Sequence, residues 1–246
     1  MITIKDIAKD AGVSISSVSR YFNNKALLHP ETCKKIEAAV KKHHYMPSSI
    51  GRSLRISRSG KLLVILPTIS NPMYQKILST INSECKKCGY TLLTATTDNN
   101  KYMELHLLSM LETHYVDGVI FFSTTLDKEA LKRLNKRYPI ALCCESVDAD
   151  ISTVTIDNER AVFEACSFLL ENGHKNIALI SGMPNYQTTM SRESGYMLAL
   201  NTYNIPFCAD YFIRGQYGFS SGTNAAQKLL SLPNMPDGII ATSDAV

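Results

Sequence analysis

The chain has 246 residues, 45% hydrophobic and 20% charged, with a formal net charge of +4. No apolar run approaches the ~20 residues needed to span a bilayer, and Lys5, Asp6, Lys9 and Asp10 interrupt any signal-peptide core. A membrane protein and a secreted one are therefore not expected, and the cytoplasm is the expected location.

The charge is unevenly placed. Residues 1–61 carry 12 Lys or Arg against 4 Asp or Glu, and the remainder 14 against 18. A basic head on an acidic body suggests a nucleic-acid-binding segment joined to a part with another task. In the head, Thr3 followed by Asp6 predicts a capped helix start, and Ile4, Ile7, Ala8 and Ala11 repeat at helical spacing. Gly12 suits the end of that helix and Ser14 the start of the next, with Val18 and Phe22 inward and Tyr21 alongside. Two short helices joined by a tight turn describe a helix-turn-helix, whose second helix enters the major groove. Ile15, Ser16, Ser17, Ser19 and Arg20 would then lie near the bases or phosphates. By pattern alone, an amphipathic helical pair with a polar outer face explains these residues equally well.

Pro30-Glu31 opens a third helix with Cys33, Ile36 and Val40 inward, while Lys34, Lys35, Lys41 and Lys42 would add phosphate attraction. His29 occupies its cap position. After Pro47, a stretch holding Gly51 and Leu54 leads into a Ser/Arg/Gly/Lys-rich linker ending near Lys61. By its residues this segment reads as a flexible linker. A marginal helix that folds on DNA and wedges Leu54 into the minor groove is the alternative.

From residue 62 onward, strands are predicted at 62–66, 91–95, 119–122, 140–144, 153–156, 177–180 and 238–241. Helices are predicted at 73–88, 101–113, 128–136, 158–172, 191–203 and 220–231. This alternation implies parallel sheets with helices on both faces, and ligands gather at the carboxyl ends of such strands. The loops there hold Asn71, Tyr74, Glu145, Tyr217, Ser243 and Asp244, and Arg192 lies beyond the 177–180 strand. Each has an ordinary reading as well: a turn for Asn71-Pro72, a half-buried ring for Tyr217, surface charges for Arg192 and Glu145, a helix cap for Asp244.

No nucleophile elbow, phosphate-cradling Gly-rich loop or His-x-x-x-His pair is present, so neither catalysis nor a metal or other cofactor is expected. Among the seven cysteines, Cys85-Lys86-Lys87-Cys88 has redox or metal spacing but no second pair nearby. Cys143 and Cys144 fall in a predicted strand, where adjacent side chains point to opposite faces. Reduced cytosolic thiols account for all seven, with a redox-sensing regulator as the alternative.

Taken together, the run from Thr3 to Arg20, Asn23-Asn24, Ala38-Ala39, Tyr45-Met46-Pro47 and Arg52-Ser53-Leu54 resembles the LacI/GalR family of bacterial transcriptional regulators. The likeness continues through Ile69-Ser70-Asn71-Pro72-Met73-Tyr74, Val116-Asp117-Gly118, Ile156-Asp157-Asn158 and Gly173-His174-Lys175-Asn176. Arg192-Glu193-Ser194-Gly195-Tyr196 and Ala241-Thr242-Ser243-Asp244 complete it.

The resemblance implies an α + α/β fold in three parts. These are a helix-turn-helix head (1–46), a hinge helix and linker (47–61), and a two-lobed parallel-sheet effector-binding body (62–246). It implies DNA contacts from Thr3, Ser14, Ile15, Ser16, Ser17, Ser19, Arg20, Asn23, Tyr45 and Leu54, with Ile15, Ser16 and Arg20 reading bases and Leu54 as the wedge. It also implies an effector cleft formed by Asn71, Tyr74, Glu145, Arg192, Tyr217, Ser243 and Asp244. Arg192 would donate two parallel hydrogen bonds, and the mix of polar groups with few stacking rings favours a sugar over a purine.

The partners implied are pseudo-palindromic operator DNA, a small effector and, with the full-length C-terminus, a second copy of the chain. Two departures from the family pattern stand out: Gly51 in place of alanine, and His29 in place of a small polar cap. The family continues beyond Val246, so an incomplete second lobe with an unpaired sheet edge is expected. A truncated DNA binder without effector control is the alternative, and a soluble sugar-binding protein the rival that the DNA head argues against.

Overall fold

The computed structural model describes residues 2–46, 58–184, 186–244 and 246, in two units that divide at Ser59 and Gly60. Gly51, Leu54 and the expected hinge helix lie outside the described residues.

In the first unit, α1 (Ile4–Asp10) starts with the expected reciprocal cap. Asp6 N–H donates to Thr3 Oγ1 (3.4 Å), and Thr3 N–H donates to the Asp6 carboxylate (2.8 Å). Gly12, at φ +63°, ends α1 by directing Val13 N–H back to the Ala8 carbonyl (3.0 Å), a Schellman closure. Ser14 caps α2 (Ile15–Asn23), accepting from Ser17 N–H at 3.1 Å. α3 (Pro30–Lys42) begins on Pro30 with no side-chain cap from His29, in line with the residue type. Ile7, Val18 and Ile36 are fully buried where the three helices meet, with Ala39 among them and Val40, Phe22, Tyr21 and Tyr45 at the edge. Burying each such aliphatic side chain contributes ~1.5–3 kcal/mol.

The second unit contains two parallel sheets. The first runs β2 (Thr91–Thr96), β1 (Lys61–Leu66), β3 (Gly118–Phe121), β4 (Ile140–Cys143), β5 (Ser152–Val154). α4 (Pro72–Lys87), α5 (Lys101–Glu112) and α6 (Lys128–Asn135) join its strands. Leu63, Ile65, Phe121, Leu131 and Leu142 form the centre of its core. The register pairs Leu66 with Thr96, Ile65 with Phe121, Phe121 with Leu142 and Cys143 with Val154, so the carboxyl ends of the strands finish together. Glu104 on α5 is buried, yet its carboxylate accepts from the Thr125 amide (2.8 Å) and from the Thr124 and Thr125 hydroxyls. That satisfies a charge that would otherwise be costly to bury, and it pins the loop after β3.

The second sheet runs β7 (Phe212–Arg214), β6 (Ile177–Ser181), β8 (Gly238–Ala241), with α7 (Asn158–Glu171), α8 (Gln187–Thr202) and α9 (Phe219–Leu230) around it. Every residue of the central β6 is buried: Ile177–Ile180 are apolar throughout, and the Ser181 hydroxyl donates to Glu193 (2.8 Å). α8 lies close on α7: a Cβ on Gly195 would sit 2.1 Å from the Glu159 carbonyl oxygen.

Three expectations need correction. β7, with three residues, is too short for a periodic signal and was not expected. α8 begins at Gln187, not at residue 191, because its first turn carries no capping side chain while Ser191 resembles one. β4 stops at Cys143, and Cys144 adopts φ +68°, so the two cysteines do not alternate across a sheet.

Candidate functional site

On the head, the second helix presents an outward surface near its N-terminus. Ile15 is 44% exposed there. Ser16 and Arg20 are exposed beside it. The other sequence-selected residues are engaged locally. Thr3 and Ser14 cap helices, and Ser17 shares a hydroxyl hydrogen bond with Ser14 (2.9 Å). Asn23 Nδ2 donates to the Ser19 carbonyl (2.9 Å) and lies 3.3 Å from the Ser19 hydroxyl. The Tyr45 ring packs on Phe22 at 6.0 Å. Lys42 and Lys41, expected to add phosphate attraction, pair with Asp10 (2.8 Å) and Glu37 (3.3 Å). Exposed pairs of this kind are weak and can open toward a phosphate.

In the body, the carboxyl ends of both sheets bring a cluster together. Tyr74, from the first turn of α4, stacks edge-on against Phe122 at 5.2 Å. Burial raises its phenol pKa, with Cys144, Tyr186, Glu145 and Tyr217 close enough to reinforce the shift. Glu145 follows β4 and is buried, and loss of water pushes its carboxyl up to about 7. It can therefore present either an acceptor or an O–H donor near neutral pH. Tyr217 lies across Gly182: a Cβ there would meet the ring carbon Cζ at 2.3 Å. Its hydroxyl lies 3.0 Å from the Thr189 hydroxyl, and its ring 6.4 Å from that of Tyr186.

Arg192 sits on the second turn of α8. Its Nε donates to Asn158 Oδ1 (2.8 Å) and Nη1 to the Thr242 carbonyl (2.6 Å). Two of its five N–H groups thus have protein acceptors, so the guanidinium is held in place before any ligand arrives. The two parallel bonds expected toward a ligand would have to use the N–H groups that remain. Thr242 Oγ1 is buried with no hydrogen-bond partner among the described residues.

Tyr74, Glu145 and Tyr217 lie in one neighbourhood, and Cys144 lies within electrostatic reach of both Tyr74 and Arg192. Asn71 Oδ1 is instead occupied as the cap of α4, accepting from Met73 N–H at 3.0 Å. Ser243 and Asp244 follow the strand end that receives Arg192, with Ser243 half-buried and Asp244 exposed. Sequence reasoning missed Tyr186, Asn158 and Asn99. Asn99, at φ +58°, donates from Nδ2 to the Tyr186 hydroxyl (2.5 Å), joining a loop of the first sheet to one of the second. Only the placement of these three after strands could have flagged them. Two surface hollows lie elsewhere, one between α5 and α6 and one along α8 and β7. Neither collects the convergent polar groups found at the strand ends.

A helix-turn-helix head followed by a two-sheet parallel α/β body with a polar cluster at its strand ends defines a class: DNA-binding regulators with a ligand-binding body. Comparison with known proteins narrows it. Residues 59–246 match the family profile described as periplasmic binding proteins and sugar binding domain of LacI family, and residues 3–48 match bacterial regulatory proteins, lacI family. The chain belongs to the LacI family of bacterial regulators. It is 32% identical to catabolite control protein A of Priestia megaterium over 99% of this chain and 74% of that protein. It is 30% identical to the HTH-type transcriptional repressor CytR of Escherichia coli K12, over 99% and 72%. The lac repressor dimer, solved bound to operator and the anti-inducer ONPF, shares the fold at 22% identity with a TM-score of 0.85, over 99% of this chain and 74% of that one. Among the described residues no helix is long and apolar enough to cross a membrane.

Proposed function

We propose that the chain is a sequence-specific transcriptional repressor of the cytoplasm whose hold on a pseudo-palindromic operator is set by a small sugar-like effector. It carries out no catalytic step of its own. The observation that carries this reading is the held guanidinium of Arg192 beside a partly desolvated set of Tyr74, Glu145, Tyr186 and Tyr217, on a chain with a helix-turn-helix head. A planar donor fork, a carboxyl and aromatic walls suit a polyhydroxylated ring. The sugar-binding description of the matched family profile favours the same ligand class.

In this reading Ile15, Ser16 and Arg20 meet base edges, Thr3, Ser14, Ser17, Ser19, Asn23 and Tyr45 contact the backbone or hold the reading helix, and residues 47–61 form the hinge with Leu54 as wedge. Asn71, Ser243 and Asp244 rim the effector cleft. Two copies of the chain place two heads on the two half-sites. The effector acts by binding one arrangement of the body better than the other, which shifts the DNA-competent population.

Arg192→Ala tests the cleft. Titrating an operator with the variant should show retained DNA affinity and no response to a sugar that alters binding by the unmodified protein. A preserved response would place the effector elsewhere.

A further inference from the structure

Two sulfurs converge at the carboxyl end of β4. The strand ends at Cys143, and Cys144 enters the left-handed region at φ +68°, a conformation uncommon for residues other than glycine. Its N–H donates to the Val154 carbonyl at 2.8 Å, which keeps the turn tied to β5. The two side chains meet with their Sγ atoms 3.8 Å apart, whereas neighbours in a regular strand would diverge. Both thiols are half-buried. Cys143 borders the apolar group of Val64, Leu66 and Phe122, and Cys144 lies within electrostatic reach of Tyr74, Glu145 and Arg192.

We propose that Cys143 and Cys144 form a redox-modifiable thiol pair, closed to a vicinal disulfide by a hydroperoxide and reopened by a dithiol. The contact between the sulfurs favours the chemistry. One thiol donates to the other, which lowers Cys143 to about 7 against the opposing effect of burial and leaves Cys144 as the protonated donor, its pKa raised.

The Cys143 thiolate attacks one oxygen of hydrogen peroxide. The S–O bond forms, the O–O bond breaks, and the departing hydroxide takes the proton released when Cys143 ionised, giving water. The Cys144 sulfur then attacks the Cys143 sulfenic acid. The S–S bond forms, the S–O bond breaks, and the second hydroxide leaves with the Cys144 proton as water. Each sulfur loses one electron and each peroxide oxygen gains one. Adjacent Cα atoms lie about 3.8 Å apart across a trans peptide, below the roughly 4.4–6.8 Å usual for disulfides, so this bridge belongs with the readily reduced, regulatory kind. Its effect on effector binding, through the neighbouring Glu145, rests on the cleft reading, whereas the thiol chemistry does not.

The tryptic peptide of residues 138–160 contains both cysteines and no other, so peptide mapping reads the pair directly. The whole chain is exposed to a small excess of hydrogen peroxide, alkylated with iodoacetamide and digested. The expected result is loss of both adducts together, a peptide lighter by two hydrogens, and full recovery after dithiothreitol, while the exposed Cys88 stays alkylated. Cys144→Ser should halt at a Cys143 sulfenic acid trapped by dimedone. Phenylarsine oxide provides a check on the unaltered protein, since one arsenic bridging both sulfurs should protect both from alkylation. Independent loss of the two adducts under peroxide, or no joint protection by the arsenical, would overturn the proposal. Bridge formation with an unchanged sugar response would support the thiol pair and count against the cleft assignment.

Discussion

Glu145 and Gly182 show how single positions set the properties of the proposed cleft. Glu145 has its carboxyl pushed up to about 7 by burial, above the ~4.3 of an unfolded chain. Between those values the native state keeps a proton that the unfolded state has released, so the contribution of this group to stability falls as pH rises through that window. The penalty is complete above about 7 and amounts to roughly 3–4 kcal/mol. Glu145→Gln should therefore be more stable than the unmodified protein in urea melts at about pH 8, with the gain shrinking toward about pH 5. A constant difference across that range would show that Glu145 titrates normally. Gly182 makes room for the Tyr217 ring, with its would-be Cβ 2.3 Å from Cζ. Gly182→Ala should displace that ring and weaken effector binding at least several-fold while the thermal midpoint moves little, read by calorimetry and a melt on the same preparation.

At the scale of elements, the motifs that carried the family resemblance divide into two kinds. Some are staples at the amino ends of strands, remote from the proposed cleft. Asp237 accepts from the Lys175 and Asn176 amides (3.0 and 2.9 Å) in the Gly173–Asn176 turn, and Asp117 accepts from Gly60 N–H (2.9 Å) below β3. The Arg192–Tyr196 motif is mixed. Arg192 donates to Asn158 and to the Thr242 carbonyl at the strand ends, whereas Glu193 accepts from Ser181 (2.8 Å) and from two nitrogens of Arg214 (2.8 and 2.6 Å). Gly195 permits the α7–α8 contact, and the Tyr196 hydroxyl donates to the Ile177 carbonyl (2.8 Å). Gly195→Ala should therefore cost ~1–3 kcal/mol or more by overpacking α8 against Glu159, measured by urea unfolding. A change under ~0.5 kcal/mol would mean that the two helices separate easily.

The same division explains how much could be read from the sequence. Periodicity and caps gave α1 to α3 and nearly all the parallel strands, because apolar runs and capping residues act locally. Tyr186, Asn99 and Asn158 were not legible, since their roles arise from contacts across 87 and 34 positions of chain. The convergence of Cys143 and Cys144 depended on one backbone angle that no pattern announces.

At the scale of the whole molecule, a basic head and an acidic body divide recognition from control. Binding of the head to DNA should weaken steeply with salt, as phosphate neutralisation requires. Sequence preference should instead rest on the exposed face of α2, so Arg20→Ala should cost ~1–3 kcal/mol at the operator and little on random DNA. The most direct test is selection of bound sequences from random double-stranded DNA by the unmodified chain and by Arg20→Ala in parallel. The account predicts one enriched pseudo-palindromic site for the unmodified chain, relaxed at matching positions in both half-sites by the substitution. Enrichment of no site, or of the same site equally by both proteins, would contradict it.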